Sequence, residues 1–86
     1  MTIYTFDERA FGTEEEAIRA AVAENERKLE QLIQEDEVLI SMDSRTRGYS
    51  EGCKNFRIDT VVLYFSEKHG YDTWKTHSRI TALTVE

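Results

Sequence analysis

The chain predicts an α+β fold, a single domain over residues 1–86 in which one long helix packs on an antiparallel sheet in the order β-α-β-β-β. Three observations carry that expectation. The stretch from Thr13 to Asp36 has no Gly and no Pro, and it places Ile18, Val22, Leu29, Leu32 and Ile33 at helical spacings, which draws one apolar stripe along a helix face. Val38–Arg45 and Phe56–Ser66 alternate with the period of two that marks strands. Everything outside the helix reads as strand or loop, so the strands must supply the surface on which the stripe packs.

Ile3-Tyr-Thr-Phe6 is a short β-prone run, and Asp7–Gly12 is a connector. Thr13 stands at the N-cap position with Glu16 three residues on, the spacing of a capping box, and Glu14–Glu16 sit at the positive end of the helix dipole. Phe11, just ahead of the cap, is placed to pack on the first turn. A helix over Glu14–Glu35 is about 33 Å long at ~1.5 Å per residue, which matches a ten-residue strand at ~3.3 Å per residue. Glu35, Asp36 and Glu37 would then lie at the unfavourable end of the dipole. Asn25 interrupts the stripe between Val22 and Leu29, where a polar residue sets register or partner choice, or bonds an adjoining backbone.

In the second strand Val38, Ile40 and Met42 share one face, with Leu39, Ser41, Asp43 and Arg45 on the other. A Gly-containing loop over Arg45–Asn55 leads to the third strand, Phe56–Ser66. Glu67–His77 reads as a polar connector turning at Gly70, and Arg79–Val85 as the last strand. One helix covers one sheet face. Val61, Leu63 and Phe65, with Leu39 and Leu83, then form an apolar patch on the other, which predicts homo-oligomerisation.

The net charge of −6 is unevenly placed. Met1–Asp43 carries twelve acids and four bases, a net of −8, whereas Ser44–Glu86 carries five acids and seven bases, a net of +2. An acidic chain gains little counterion release from DNA or an anionic membrane, so neither is an expected partner. No apolar run approaches the ~20 residues of a membrane helix, no segment resembles a signal peptide, and Cys53 is the single cysteine. Those features predict a cytoplasmic protein.

The sequence offers no catalytic constellation. His69 and His77 hold no recognisable spacing to a nucleophile, and with Cys53 they lack the close pairs of a zinc site. No phosphate-loop motif is present. No enzyme activity, metal or cofactor is therefore expected. What stands out is cationic and aromatic: Arg45, Arg47, Tyr49, Lys54 and Arg57 around the first loop, and Tyr71, Trp74, Lys75, His77 and Arg79 around the second. Arginine suits bidentate phosphate recognition, and Trp or Tyr offers a face on which a base stacks. In a simple meander the two groups flank the third strand at opposite ends, about 30 Å apart. A pocket using Arg45, Arg47, Tyr49, Arg57, Trp74, His77 and Arg79 would then form between subunits.

Ile3-Tyr-Thr-Phe-Asp-Glu8, the acid-capped helix with Asn25 at its middle, Val38-Leu-Ile-Ser-Met42 and Ile58-Asp-Thr-Val-Val-Leu-Tyr64 together resemble small Bacillus sporulation-associated and phage proteins. The likeness spans about residues 3–65, and no residue roles come with it. It implies a structural sporulation-type protein or a phage counter-defence protein. Two counter-defence classes of similar size and composition suggest specific partners. Thoeris anti-defence proteins sequester cyclic or ADP-ribose-type nucleotide signals, and anti-CRISPR proteins block a host protein with an acidic surface. The first matches the cationic and aromatic residues. The second would use Glu14, Glu15, Glu24, Glu26 and Glu30 of the helix.

Overall fold

The computed structural model describes residues 1–47 and 55–84. Its elements are β1 (Thr2–Phe6), β2 (Arg9–Phe11), α1 (Glu14–Leu32), β3 (Glu37–Arg47), β4 (Asn55–Ser66) and β5 (Gly70–Thr84). The five strands form one antiparallel sheet in the order β2-β1-β5-β4-β3. The predicted α+β class holds, with one helix on one face.

Where a connector was expected, Asp7 and Glu8 make a two-residue turn with φ of 52° and 63°, and Arg9–Phe11 folds back on β1. Two successive left-handed residues give the turn type whose twist suits a hairpin. The helix starts at the predicted cap: Thr13 Oγ1 accepts from the Glu16 amide at 3.2 Å. The reciprocal half differs from a capping box, because the Thr13 hydroxyl donates to the Glu16 carboxylate at 3.1 Å. The helix ends three residues earlier than predicted, with Ile33 extended. Glu35–Glu37 thus lie beyond its last turn, and the Glu37 carboxylate accepts from the Gln34 amide at 2.8 Å.

Two further differences decide where the polar residues go. Around Ile40 the pairing slips: Leu39 pairs with Tyr64 but Ser41 with Leu63. This bulge exchanges the faces of the residues before it. Leu39 therefore joins Met42 on the helix side, not the outer patch to which simple alternation assigned it, and Val38 joins Ser41 and Asp43 outside. The expected connector Glu67–His77 is mostly strand. A short turn at 67–69, with Gly70 at φ +75°, starts a β5 of fifteen residues. Segment 71–79 is rich in Thr, Ser and charge on both faces, so hydrophobic alternation says nothing about it.

The helix lies over β5, β4 and the β1–β2 hairpin, leaving β3 outside its main footprint. Ala17 and Ala21 bring it close to the sheet, in a cluster with Phe6, Phe56, Ile58 and Ile80. Phe11 packs against that cluster. Leu29 and Val62 are fully buried, and Trp74 meets Tyr64 edge-on with ring centroids 5.0 Å apart. The patch between is polar. Fully buried Asn25 donates to the Ile58 carbonyl at 3.0 Å and to Thr60 Oγ1 at 3.1 Å, and it accepts from the Ser78 hydroxyl at 2.5 Å. Thr60 Oγ1 also shares a 2.6 Å hydrogen bond with Ser44. Among the described residues no buried side-chain polar atom lacks a partner.

Two outcomes test this packing. Asn25→Ala leaves the buried Ser78 hydroxyl without its acceptor, removes one of the two partners of Thr60 and opens a cavity, so urea denaturation should show a loss of about 2–4 kcal/mol; a loss under ~0.5 kcal/mol contradicts the network. Burial, with the neighbouring Asp72 carboxylate, raises the Tyr64 phenol above its ordinary pKa. The folded state holds this proton more tightly than the unfolded one. Its stabilisation is complete below about pH 10 and is lost as pH climbs through the raised folded value. Tyr64→Phe should flatten the fall in unfolding midpoint above pH 10, and an unchanged alkaline slope contradicts the assignment.

Candidate functional site

The outer sheet face, opposite the helix, is built in rows set by strand register. Arg47 pairs with Arg57, and Arg57 with Arg79. One step along lie Arg45, Asp59 and His77, and the next step holds Asp43, Val61 and Lys75. Ser41, Leu63 and Thr73 follow, and Phe65 with Tyr71 ends the series. Alternate residues of each strand point the same way, so these side chains share one surface. It forms an open trough of about 600 Å³ running from Arg47 and Arg57 to Leu63, with half-buried Val61 and Leu63 on its floor. A smaller hollow of about 420 Å³, lined by Arg47, Asn55, Phe56, Arg57 and Arg79, adjoins it.

The arginine row is electrostatically unfavourable in the free chain. Like charges directly opposite on paired strands destabilise a sheet, and this row sets three side by side, within ~10 Å at the usual strand spacing. Asp59 offsets part of the repulsion. Its carboxylate accepts from Arg57 Nε at 2.8 Å and forms an ion pair with Arg47 Nε at 3.9 Å. Arg45 Nε reaches Asp43 at 3.2 Å. No acid among the described residues lies in ion-pair reach of Arg79 or Lys75. Five cations against Asp43 and Asp59 leave a formal +3 on a molecule of net −6.

Compared with known proteins, the chain matches no family model, no curated protein and no solved structure.

The site therefore rests on geometry alone. Of the predicted residues, Arg45, Arg47, Arg57, His77 and Arg79 come together within one subunit. The expected separation of about 30 Å does not occur, because the segment read as a distant connector is the strand paired with β4. Trp74 does not join them; it points to the helix face against Tyr64. Tyr49, like Lys54 and Cys53, lies outside the described residues. Among the described residues the outer aromatics are Phe65 and Tyr71, with ring centroids 4.9 Å apart, four rows or roughly 27 Å from the arginines. Asp43, Asp59, Val61 and Leu63 were not foreseen as lining residues. Counting back from the Gly70 turn sets Arg57 opposite Arg79, so a tight hairpin there was the signal that would have found the rows.

The acidic helix residues are dispersed. At ~100° per residue Glu15, Glu26 and Glu30 share one side, while Glu14 and Glu24 lie on another. Glu15 is paired with Arg19 at 2.6 Å. A hydrogen bond from Arg27 holds the Glu24 carboxyl below its ordinary range. Among the described residues no cluster of His, Cys, Asp and Glu could hold a metal ion, and no helix is long and apolar enough to cross a membrane.

If the row costs the free protein stability, Arg79→Gln should leave the unfolding free energy from urea denaturation unchanged or raise it by up to ~0.5 kcal/mol at low salt, with the gain shrinking as salt rises. A loss above ~1 kcal/mol would assign Arg79 a structural role instead.

Proposed function

We propose that this protein is a non-enzymatic binder of a small phosphate-bearing nucleotide, held on the outer sheet face by Arg47, Arg57 and Arg79 with Arg45, Lys75 and His77 beside them. The observation that supports this reading is the in-register arginine row, only partly neutralised by Asp59. An anion seated there gains charge-assisted hydrogen bonds and relieves the repulsion between the guanidinium groups. Val61 and Leu63 supply an apolar floor for a base or ribose, the part first expected of Trp74. Binding without turnover makes the protein a sponge for its ligand, acting as a homo-oligomer. Removal of a cyclic or ADP-ribose-type nucleotide signal in the cytoplasm during phage infection is the role that fits. The acidic-helix reading, an inhibitor or adaptor acting on a host protein, has less support because its acids are dispersed and two are paired.

A panel of cyclic dinucleotides, ADP-ribose derivatives and nucleoside triphosphates, followed by native mass spectrometry, tests the proposal. Adducts should appear in fixed ratio to subunits with at least one member of the panel. Replacing Arg47 and Arg57 together with Glu should abolish them, whereas Trp74→Phe should leave affinity within about threefold. Retained binding in the double variant, or no adduct across the panel, defeats it.

A further inference from the structure

The two edges of the sheet differ. β2 has three residues, whereas β3 has eleven, is largely exposed and lies outside the helix's main footprint. A long open edge presents unpaired backbone donors and acceptors to any strand that fits. The bulge at Ile40 restricts the regular part of this edge to Ser41–Arg47. On the outer face that stretch reads Ser41, Asp43, Arg45, Arg47.

This pattern is complementary to itself. Two antiparallel copies of β3 related by a two-fold axis at Ser44 place Asp43 opposite the partner's Arg45 and Arg47 opposite the partner's Ser41. The reciprocal contacts follow by symmetry. No like charges oppose one another in this register. An axis at Asp43 or Arg45 sets that residue against its own copy, and an axis at Thr46 sets Arg45 against the partner's Arg47. An axis at Met42 pairs only Ser41–Asp43 of the regular edge and forms no ion pair; cross-strand ion pairs add stability and like pairs remove it, so charge and paired length together select the Ser44 register. Asp43 and Arg45 already meet at 3.2 Å within β3, with side chains 68% and 71% exposed. Such an exposed pair is weak and free to exchange partners. Ser44 itself is fixed by its hydrogen bond to Thr60, which anchors the axis to the core.

We propose that β3 pairs antiparallel with β3 of a second copy about Ser44, joining two sheets into one of ten strands and two troughs into one continuous cationic surface. The partner's Arg45 and Arg47 then stand beside Asp43 and Ser41, both of which line the trough, so each trough is completed across the interface. The strand pairing stands on register and charge alone; the joint anion site rests on the function proposed above. The dimer sets two +3 surfaces side by side. A polyanion binding both shifts the equilibrium toward it by linkage.

Sedimentation velocity over a concentration series tests the pairing, with inorganic triphosphate as the probe anion and far-UV circular dichroism as the folding control. The unmodified chain should form a concentration-dependent dimer that triphosphate strengthens. Asp43→Arg and Arg45→Asp should each weaken self-association about tenfold or more, since each opposes like charges at two places. An equimolar mixture of those two variants should regain a two-chain species, because one strand carries only cations at 43 and 45 and the other only acids. A monomeric unmodified chain, single reversals that dimerise normally, or a mixture that fails to associate would each overturn the pairing. Triphosphate binding by a chain that stays monomeric would overturn the pairing and leave the anion site standing. A charge-sensitive dimer blind to triphosphate would support the pairing and overturn the joint site.

Discussion

The side-chain amide of Asn25 holds the two layers of this protein in register. It sits fully buried in the middle of the helix and engages the Ile58 carbonyl, the Thr60 hydroxyl and the Ser78 hydroxyl, while Thr60 passes the connection to Ser44. One helical residue is thereby tied to all three strands that carry the candidate site. Apolar packing alone does not fix such a position, since a stripe of Ala, Val and Leu tolerates a shift of one turn along a sheet. A shift here would strand the Asn25 amide and the Ser78 hydroxyl in a dry interior, each unpaired group at a penalty of about 1–3 kcal/mol. The apolar clusters on either side, one around Phe56 and Ile80 and the other around Val62 and Tyr64, provide the burial. The polar row between them provides the register.

That register propagates to the opposite face. Thr60 and Ser78 point at Asn25, so their neighbours Asp59 and His77 must point outward, and so in turn must Arg57 and Arg79. The two faces of the sheet are thus one choice made once. The helix side takes the apolar residues, and the outer side takes long charged ones. Val61 and Leu63 stay half-buried among them. The apolar outer patch predicted from alternation changes its membership, because the Ile40 bulge takes Leu39 out of it and brings Val38 in.

The helix and the class of the fold are legible in the sequence because both rest on apolar period, which short-range sterics read directly. Three other features are not. Asp7-Glu8 carries no Gly to announce a turn with two positive φ angles. The bulge leaves no local mark, since Val38-Leu39-Ile40 is apolar throughout. The first half of β5 is polar on both faces, held by its pairing to β4 and by Trp74 on Tyr64 rather than by a buried stripe. Each is set by pairing with another strand and not by apolar period within its own. The candidate site shows the same division. Arginines in the second half were visible as residue types, but their adjacency depends on the hairpin at Gly70. Trp74 has the chemistry of a stacking residue yet serves the core, because parity along β5 puts it on the helix side with Ser78 and Ile80.

Charge placement bears on what size of ligand the outer face can hold. With +3 on the trough side, the rest of the chain carries a formal −9, much of it on the helix across the sheet and beyond the helix's last turn. Screening at physiological salt limits each group's reach to ~8 Å. A ligand confined to the trough therefore meets mainly guanidinium groups and gains from them fully. Among the described residues, a long nucleic acid leaving the trough away from the arginine row follows no continuing track of cations, since the rows pass through Asp43 and Lys75 to Ser41, Leu63 and Thr73 within a few residues. Counterion release grows with the number of phosphates neutralised, and among the described residues that number stops at a handful. The arrangement favours a compact ligand with two or three phosphates over a polymer. It does so by limiting the length of the cationic surface, not by walling off a pocket.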